Sequence, residues 1–436
     1  MSAAAIGLFL GLLAIVLATA VVLAPRRERR IVALFVAAGV VAAFGKITLF
    51  QQSPQWHDTN PDSFTYDFSA RAFALHWQGQ DVSVREYNLR GLQARGREVW
   101  GAAEVVSYSA VFGSREWLYP AFVGVWYWLT GPDAKRAIDA NAVVAGFFPA
   151  AAFGIALALG APRRVAVAAG LLALVDPSAG VNASWLLKDS LAAFLAMAAL
   201  WAAAAWMRER RWVLPVLLGI GLGFLGIVRF VAFAALLAVV IMVGLWRLRR
   251  REFASMIGLG LAVAMALVGF DLLYHVPQLA FLPLPNPVGA GVTTLKAEQG
   301  DIGADEAVLR WKAALRTNPG LAMVKSVAHT LFAPYPWVAI HPGLTWRSFS
   351  ELYYPGVLLW ILCLPGIVVA IVAFLRRPNE AAGIVIGFLG LLLGVYIVFL
   401  GEWSTRQRVF ALPAFFALAS VGWHHAFARW KAGSGR

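Results

Sequence analysis

Three carboxylates, Asp58, Asp62 and Asp67, share one short polar stretch of an otherwise apolar chain, among His57, Thr59, Asn60, Pro61, Ser63 and Tyr66. A carboxylate in such a place is suited to accept the proton of a hydroxyl that attacks as a nucleophile. Lys188 with Asp189, Arg229, and Arg406 with Arg408 stand at the ends of distant apolar runs. Cations there can neutralise a departing phosphate, and arginine meets two of its oxygens at once. Together the two groups describe attack on a membrane-anchored, phosphate-activated donor. Each also has a structural reading. Asp62 or Ser63 is a natural N-cap for a helix from Phe64 to Leu75. Asp189 can cap a span while Lys188 snorkels, and Arg406 and Arg408 can act as interfacial anchors.

The elements that must position these residues are apolar helices. Of 436 residues, 60% are hydrophobic and 14% charged, which excludes a water-soluble globule. Successive stretches of about 20 apolar residues are each long enough to cross roughly 30 Å of hydrocarbon. An all-α polytopic fold follows, a single integral membrane domain over 1–436, with eleven expected transmembrane helices. These lie near 3–24, 31–50, 138–160, 165–182, 184–206, 212–227, 229–246, 253–273, 356–375, 381–400 and 408–427.

About half of the 37 basic residues sit in short loops or the tail, as Arg26 to Arg30, Arg163-Arg164, Arg208 to Arg211, Arg247 to Arg251, Arg376-Arg377 and the last residues. By the positive-inside rule these face the cytoplasm, so the chain is a multi-pass cell-membrane protein with its N-terminus outside and its C-terminus cytoplasmic. The first span has no positive charge before it and four arginines after it, so it reads as retained rather than as a signal peptide. Residues 51–137 and 274–355 become two extracytoplasmic loops. Trp117 to Thr130 is apolar but has only 14 residues, and a crossing there would turn every later arginine cluster outward. It is therefore expected to be re-entrant or interfacial. In the second loop, Asp305 to Thr317 reads as an amphipathic helix.

The net charge of +14 does not indicate nucleic acid, because the basic residues flank spans instead of covering one polar domain. The single cysteine, Cys363, lies in an apolar run, which excludes a disulfide framework and a thiolate metal cluster. Asp58, Asp62, Asp67, Arg71, Lys188, Asp189, Arg229, Arg406 and Arg408 all fall near the outer surface in this topology. An ionisable residue at membrane depth costs at least roughly 2.5–3.5 kcal/mol, so such a gathering suggests an outward-facing polar cavity.

At these residues the chain resembles the GT-C superfamily of polytopic glycosyltransferases, which use polyprenyl-phosphate-linked sugars, in particular the protein mannosyltransferase and aminoarabinose transferase group. The stretch Asn60-Pro61-Asp62-Ser63-Phe64-Thr65-Tyr66-Asp67 is similar to the acidic motif that opens that family's first extracytoplasmic loop, with Ser63 in place of the usual second acid. Leu118-Tyr119-Pro120 to Leu129-Thr130-Gly131 resembles its aromatic stretch. Leu186-Leu187-Lys188-Asp189-Ser190-Leu191 resembles its later Asp motif, and Arg406-Gln407-Arg408 to Pro413 its late arginine-rich span end. The resemblance covers order and spacing over about 31–427, but an extra first span departs from the common pattern.

The resemblance implies an inverting transfer. Asp62, or Asp58 or Asp67, would be the general base; Arg406, Arg408, Arg229 and Lys188 would hold the donor phosphate; Asp189 and Tyr66 would line the site. The implied partners are a polyprenyl-phosphate-sugar donor, a glycan, lipid or protein acceptor, and membrane lipids. Sugar, acceptor, cofactor and metal requirement stay open. A polysaccharide polymerase or ligase using lipid-linked oligosaccharide is the alternative enzyme. A lipid-linked sugar flippase or other transporter fits less well, since the polar residues gather on one side instead of lining a path across.

Overall fold

The computed structural model describes residues 3–52, 61–80, 82, 87, 117–249, 253–280, 306–332, 350–400 and 408–434. Asp58, Glu402 and Arg406 lie outside the described residues, and Asp62 is described by its backbone alone. The described chain is helical, with no strand among its residues.

In order the helices are α1 (Ala3–Leu23), α2 (Arg29–Gln51), α3 (Pro61–Trp77), α4 (Leu118–Thr130), α5 (Ala134–Ala145) and α6 (Phe147–Ala158). Then come α7 (Arg163–Val175), α8 (Ser178–Ala183), α9 (Asp189–Glu209), α10 (Val213–Val228), α11 (Phe230–Arg249) and α12 (Phe253–Ala280). The series closes with α13 (Glu306–Thr317), α14 (Pro319–Phe332), α15 (Ser350–Arg376), α16 (Glu380–Val395), a π-turn (Tyr396–Leu400) and α17 (Leu412–Ser434).

Among the described residues, 8 stretches are long and apolar enough to cross a membrane: Ala3–Leu23, Arg26–Gln51, Ala134–Ala158, Asp189–Glu209, Phe230–Arg247, Met256–Leu273, Pro355–Arg376 and Glu380–Val398. Three of the eleven expected spans fall short of that standard. Val213–Val228 is shorter. Leu412–Ser434 carries His424, His425, Arg429 and Lys431 in its second half. The expected span 165–182 is broken into α7 and α8. Pro177 causes the break: proline disfavours a helical residue before it, and Asp176 is extended at ψ 125°. The Asp176 carboxylate then accepts from the Ser178 backbone N–H at 3.1 Å, opening α8. The next helix starts at Asp189, five residues later than the expected 184, because 184–188 form a turn.

The core is the α5–α6 pair with α9. In an 18-residue window of Ala134–Ala158, 94% of residues are buried within the protein, against 17% in Ala3–Leu23 at the rim. Small residues make this packing possible. The buried rings of Trp201 and Trp206 on α9 seat against Gly154 of α6 and Gly258 of α12, where a Cβ would collide with them. Gly39 meets Gly146 backbone to backbone, and Gly422 meets Gly366; a Cβ on either first residue would collide with the partner's carbonyl. Close approach through glycine is a common way for membrane helices to pack.

Contacts between helix ends form two poles. At the basic pole, Arg163 pairs with Glu28 at 3.3 Å, Arg211 donates to the Val22 and Leu23 carbonyls at 2.8 and 2.7 Å, and Arg247 pairs with Glu380. Asn379 donates to the Leu159 carbonyl at 3.1 Å, and Arg208 to that of Leu157. The ends assigned to the cytoplasm by charge thus meet one another. The opposite ends also meet, and there the candidate residues lie.

Candidate functional site

The first part of the site is built on α3. Pro61 opens this helix, as its fixed φ and missing N–H allow. Asp62 and Ser63 therefore sit within the first turn, and the expected N-cap with a helix starting at Phe64 is not what forms. The Ser63 hydroxyl instead accepts the Leu186 backbone N–H at 3.2 Å. That bond ties the Asp62 turn to the segment preceding Lys188 and Asp189. Tyr66 is buried and packs edge-on against Tyr119, their ring centroids 5.0 Å apart. Asn141 joins these layers, donating to the Tyr119 hydroxyl at 2.9 Å and the Trp185 carbonyl at 3.0 Å.

Asp67 has a different setting from Asp62. Its carboxylate accepts from the Tyr127 hydroxyl at 2.5 Å, which fastens α3 to α4, and from Arg71 Nε at 2.9 Å one turn along α3. Burial, followed by the adjacent Asp67 charge, pushes the Tyr127 hydroxyl well above its ordinary range, so it stays a donor. An acid engaged on two sides in this way holds two helices together.

Lys188 and Asp189 end the turn before α9, and both are buried. Asp189 is the first residue of that helix, where backbone N–H groups and the helix dipole favour a carboxylate. A buried charge needs such compensation.

The cations at the other side come from broken helices. Arg229 ends α10 at φ −152° and ψ 84°, leaving its side chain part-exposed between α10 and α11. Its Nη2 donates to the Tyr396 hydroxyl at 3.0 Å, and its guanidinium lies 5.8 Å from the Phe410 ring centre. Tyr396 and Phe410 also contact each other, at 6.4 Å. Arg408, two residues before Phe410, is buried over the Trp360 ring at 4.6 Å and donates to the Thr330 carbonyl at 3.1 Å. Each guanidinium lies against aromatic rings, Arg229 by Phe410 and Arg408 over Trp360, where a flat cation is held by ring faces.

The second-loop helices belong to this side as well. The amphipathic helix expected over Asp305 to Thr317 forms as α13, and α14 follows it. Trp311 Nε1 donates to the Val398 carbonyl at 3.4 Å, and Ser326 Oγ to that of Ile397 at 3.2 Å. Both acceptors lie in the π-turn, whose altered ladder makes carbonyls available to side chains.

One polar pairing, between half-buried Lys46 and buried Asp176, was not foreseen from the sequence. Lys46 Nζ donates to the Leu174 and Asp176 carbonyls, at 2.7 and 2.5 Å, while the Asp176 carboxylate is held by Ser178. A lysine alone in the apolar run 31–50 was the available signal, since such residues are usually paired or functional. Asp176, roughly 130 positions away, carried the same signal inside the expected span 165–182, but nothing in the sequence paired the two. Among the described residues no three His, Cys, Asp or Glu side chains group as metal ligands.

Neither a known protein-family model nor a curated protein matches this chain.

Proposed function

We propose that the chain is a GT-C-like membrane glycosyltransferase that moves a sugar from a polyprenyl-phosphate donor to a hydroxyl acceptor on the extracytoplasmic side. In this reading the chain crosses the membrane eleven times, with its N-terminus outside and the basic pole in the cytoplasm. Asp62 accepts the acceptor proton as the new C–O bond forms at the anomeric carbon. The bond from that carbon to the phosphate breaks, with inversion, and the lipid phosphate leaves against arginine. Arg229, Arg408, Arg406 and Lys188 are the cations that hold this phosphate in that reading.

The observation that carries the proposal is the bond from Leu186 N–H to Ser63 Oγ. It couples the turn bearing Asp62 to the Lys188–Asp189 segment, two stretches more than a hundred residues apart. The engagement of Asp67 by Tyr127 and Arg71 favours Asp62 and Asp58 as the base.

The test is transfer by the purified protein from a panel of radiolabelled polyprenyl-phosphate monosaccharides, read as released polyprenyl phosphate. The wild type should release it with at least one sugar. Asp62→Asn should lower the rate by roughly 100-fold or more at unchanged thermal stability. No release with any donor, or a fully active Asp62→Asn, counts against the assignment.

A further inference from the structure

At the basic pole, away from the candidate site, α9, α11 and α16 leave a cleft of about 600 Å³. Its wall is apolar: Val239, Met242 and Trp246 from α11 face Gly383 and Gly387 from α16, with Arg208 of α9 at the rim. The volume falls inside the roughly 300–1,000 Å³ typical of sites for small ligands. Its depth follows from the glycines. A Cβ built on Gly383 would meet nothing within 4 Å, so that position opens on empty space, while Gly387 lets Val239 approach.

The rim carries positive charge. Arg208 and Asn379 converge on Gly160, where they cap the end of α6 by donating to the Leu157 and Leu159 carbonyls. That contact uses one of the five N–H groups of the Arg208 guanidinium, whose residue is exposed. Glu380 also lines the cleft, but it is paired with Arg247, so Arg208 is left as the net charge of the rim. Glu209, next in sequence, is paired with Arg211 at 2.7 Å, so it does not offset the Arg208 charge. Trp246 is 39% exposed, which suits an indole at the boundary between headgroups and acyl chains.

We propose that this cleft binds one anionic glycerophospholipid, with an acyl chain along the glycine-lined wall and its phosphate on Arg208. Apolar walls in the hydrocarbon layer suit a chain, and the uncompensated charge at the rim selects an anionic headgroup over a zwitterionic one. The site does not depend on the glycosyltransferase reading or on which side the basic pole faces.

The test is native mass spectrometry of the full-length protein after equilibration with equal amounts of phosphatidylglycerol and phosphatidylcholine. The wild type should retain phosphatidylglycerol in about fivefold excess, the effect expected of one arginine near a lipid surface. Arg208→Gln should equalise the two lipids. Gly383→Phe, which fills the cleft and leaves every charge in place, should abolish the retained phosphatidylglycerol. It also guards against Arg208→Gln failing to fold through loss of the α6 cap. Equal retention by the wild type, or an unchanged excess in Gly383→Phe, would overturn the site and assign any bound lipid to the general basic surface.

Discussion

Asp62 and Asp67 lie five residues apart on one helix, yet their replacement should have opposite consequences. Asp67 bonds Tyr127 and Arg71, so Asp67→Asn should lower thermal stability while leaving transfer per folded molecule close to wild type. Tyr127→Phe removes the same hydroxyl and should cost about 1 kcal/mol, measurable as a lower melting temperature. Asp62→Asn should show the reverse, normal melting with lost transfer. A melting loss in Asp62→Asn without a transfer defect would return that residue to a helix-end role. The acidic cluster could be read in the sequence because three carboxylates in a polar island stand out. Which of them is already engaged could not, since Tyr127 lies 60 positions away and only folding brings it to Asp67.

Helix existence was largely legible, because runs of apolar residues betray spans whatever they pack against. Breaks were harder to find. Asp176-Pro177-Ser178 interrupts the apolar run and is a turn signal, but the apolar residues on either side together have the length of one span, which hid the end of α7. The 184–188 turn was hidden as well, as Trp185, Leu186 and Leu187 are as apolar as a helix face. The placement of α4 also has consequences. At 13 residues it is too short for a typical crossing, and it packs on α3 through the Asp67–Tyr127 bond. Single cysteines at Arg163 and Arg210, introduced into a Cys363→Ala background, should be labelled from the cytoplasmic side alone. Labelling of both from outside would make α4 a crossing and invert the topology. Where α15 meets α17 the backbones touch at Gly366 and Gly422, so Gly422→Ala should destabilise by roughly 1–3 kcal/mol. A melting temperature within error of wild type would show that the two helices separate freely.

On the scale of the whole molecule, the chain divides its polar groups between two ends of a helical bundle. Arginines, glutamates and helix-end carbonyls lock the basic pole, whereas away from it α3 is tied to the segment before Lys188 and Asp189, and Arg229, Arg408 and the second-loop helices gather around Tyr396, Phe410 and Thr330. Charge asymmetry in the sequence anticipated this division. It did not anticipate Lys46, Asp176, Trp360 or Tyr396, whose partners are set by tertiary packing rather than by neighbours in the chain. The proposed transfer requires that the opposite pole hold a lipid phosphate. Binding of polyprenyl phosphate to the purified protein, followed by thermal shift and titration, tests this without knowledge of the sugar. The wild type should bind. Arg229→Lys, Arg406→Lys and Arg408→Lys keep the charge but lose paired hydrogen bonds, and at least one should weaken binding about tenfold, with Lys188→Ala weaker as well. Wild-type affinity in all four variants would contradict the account and reopen a transporter reading.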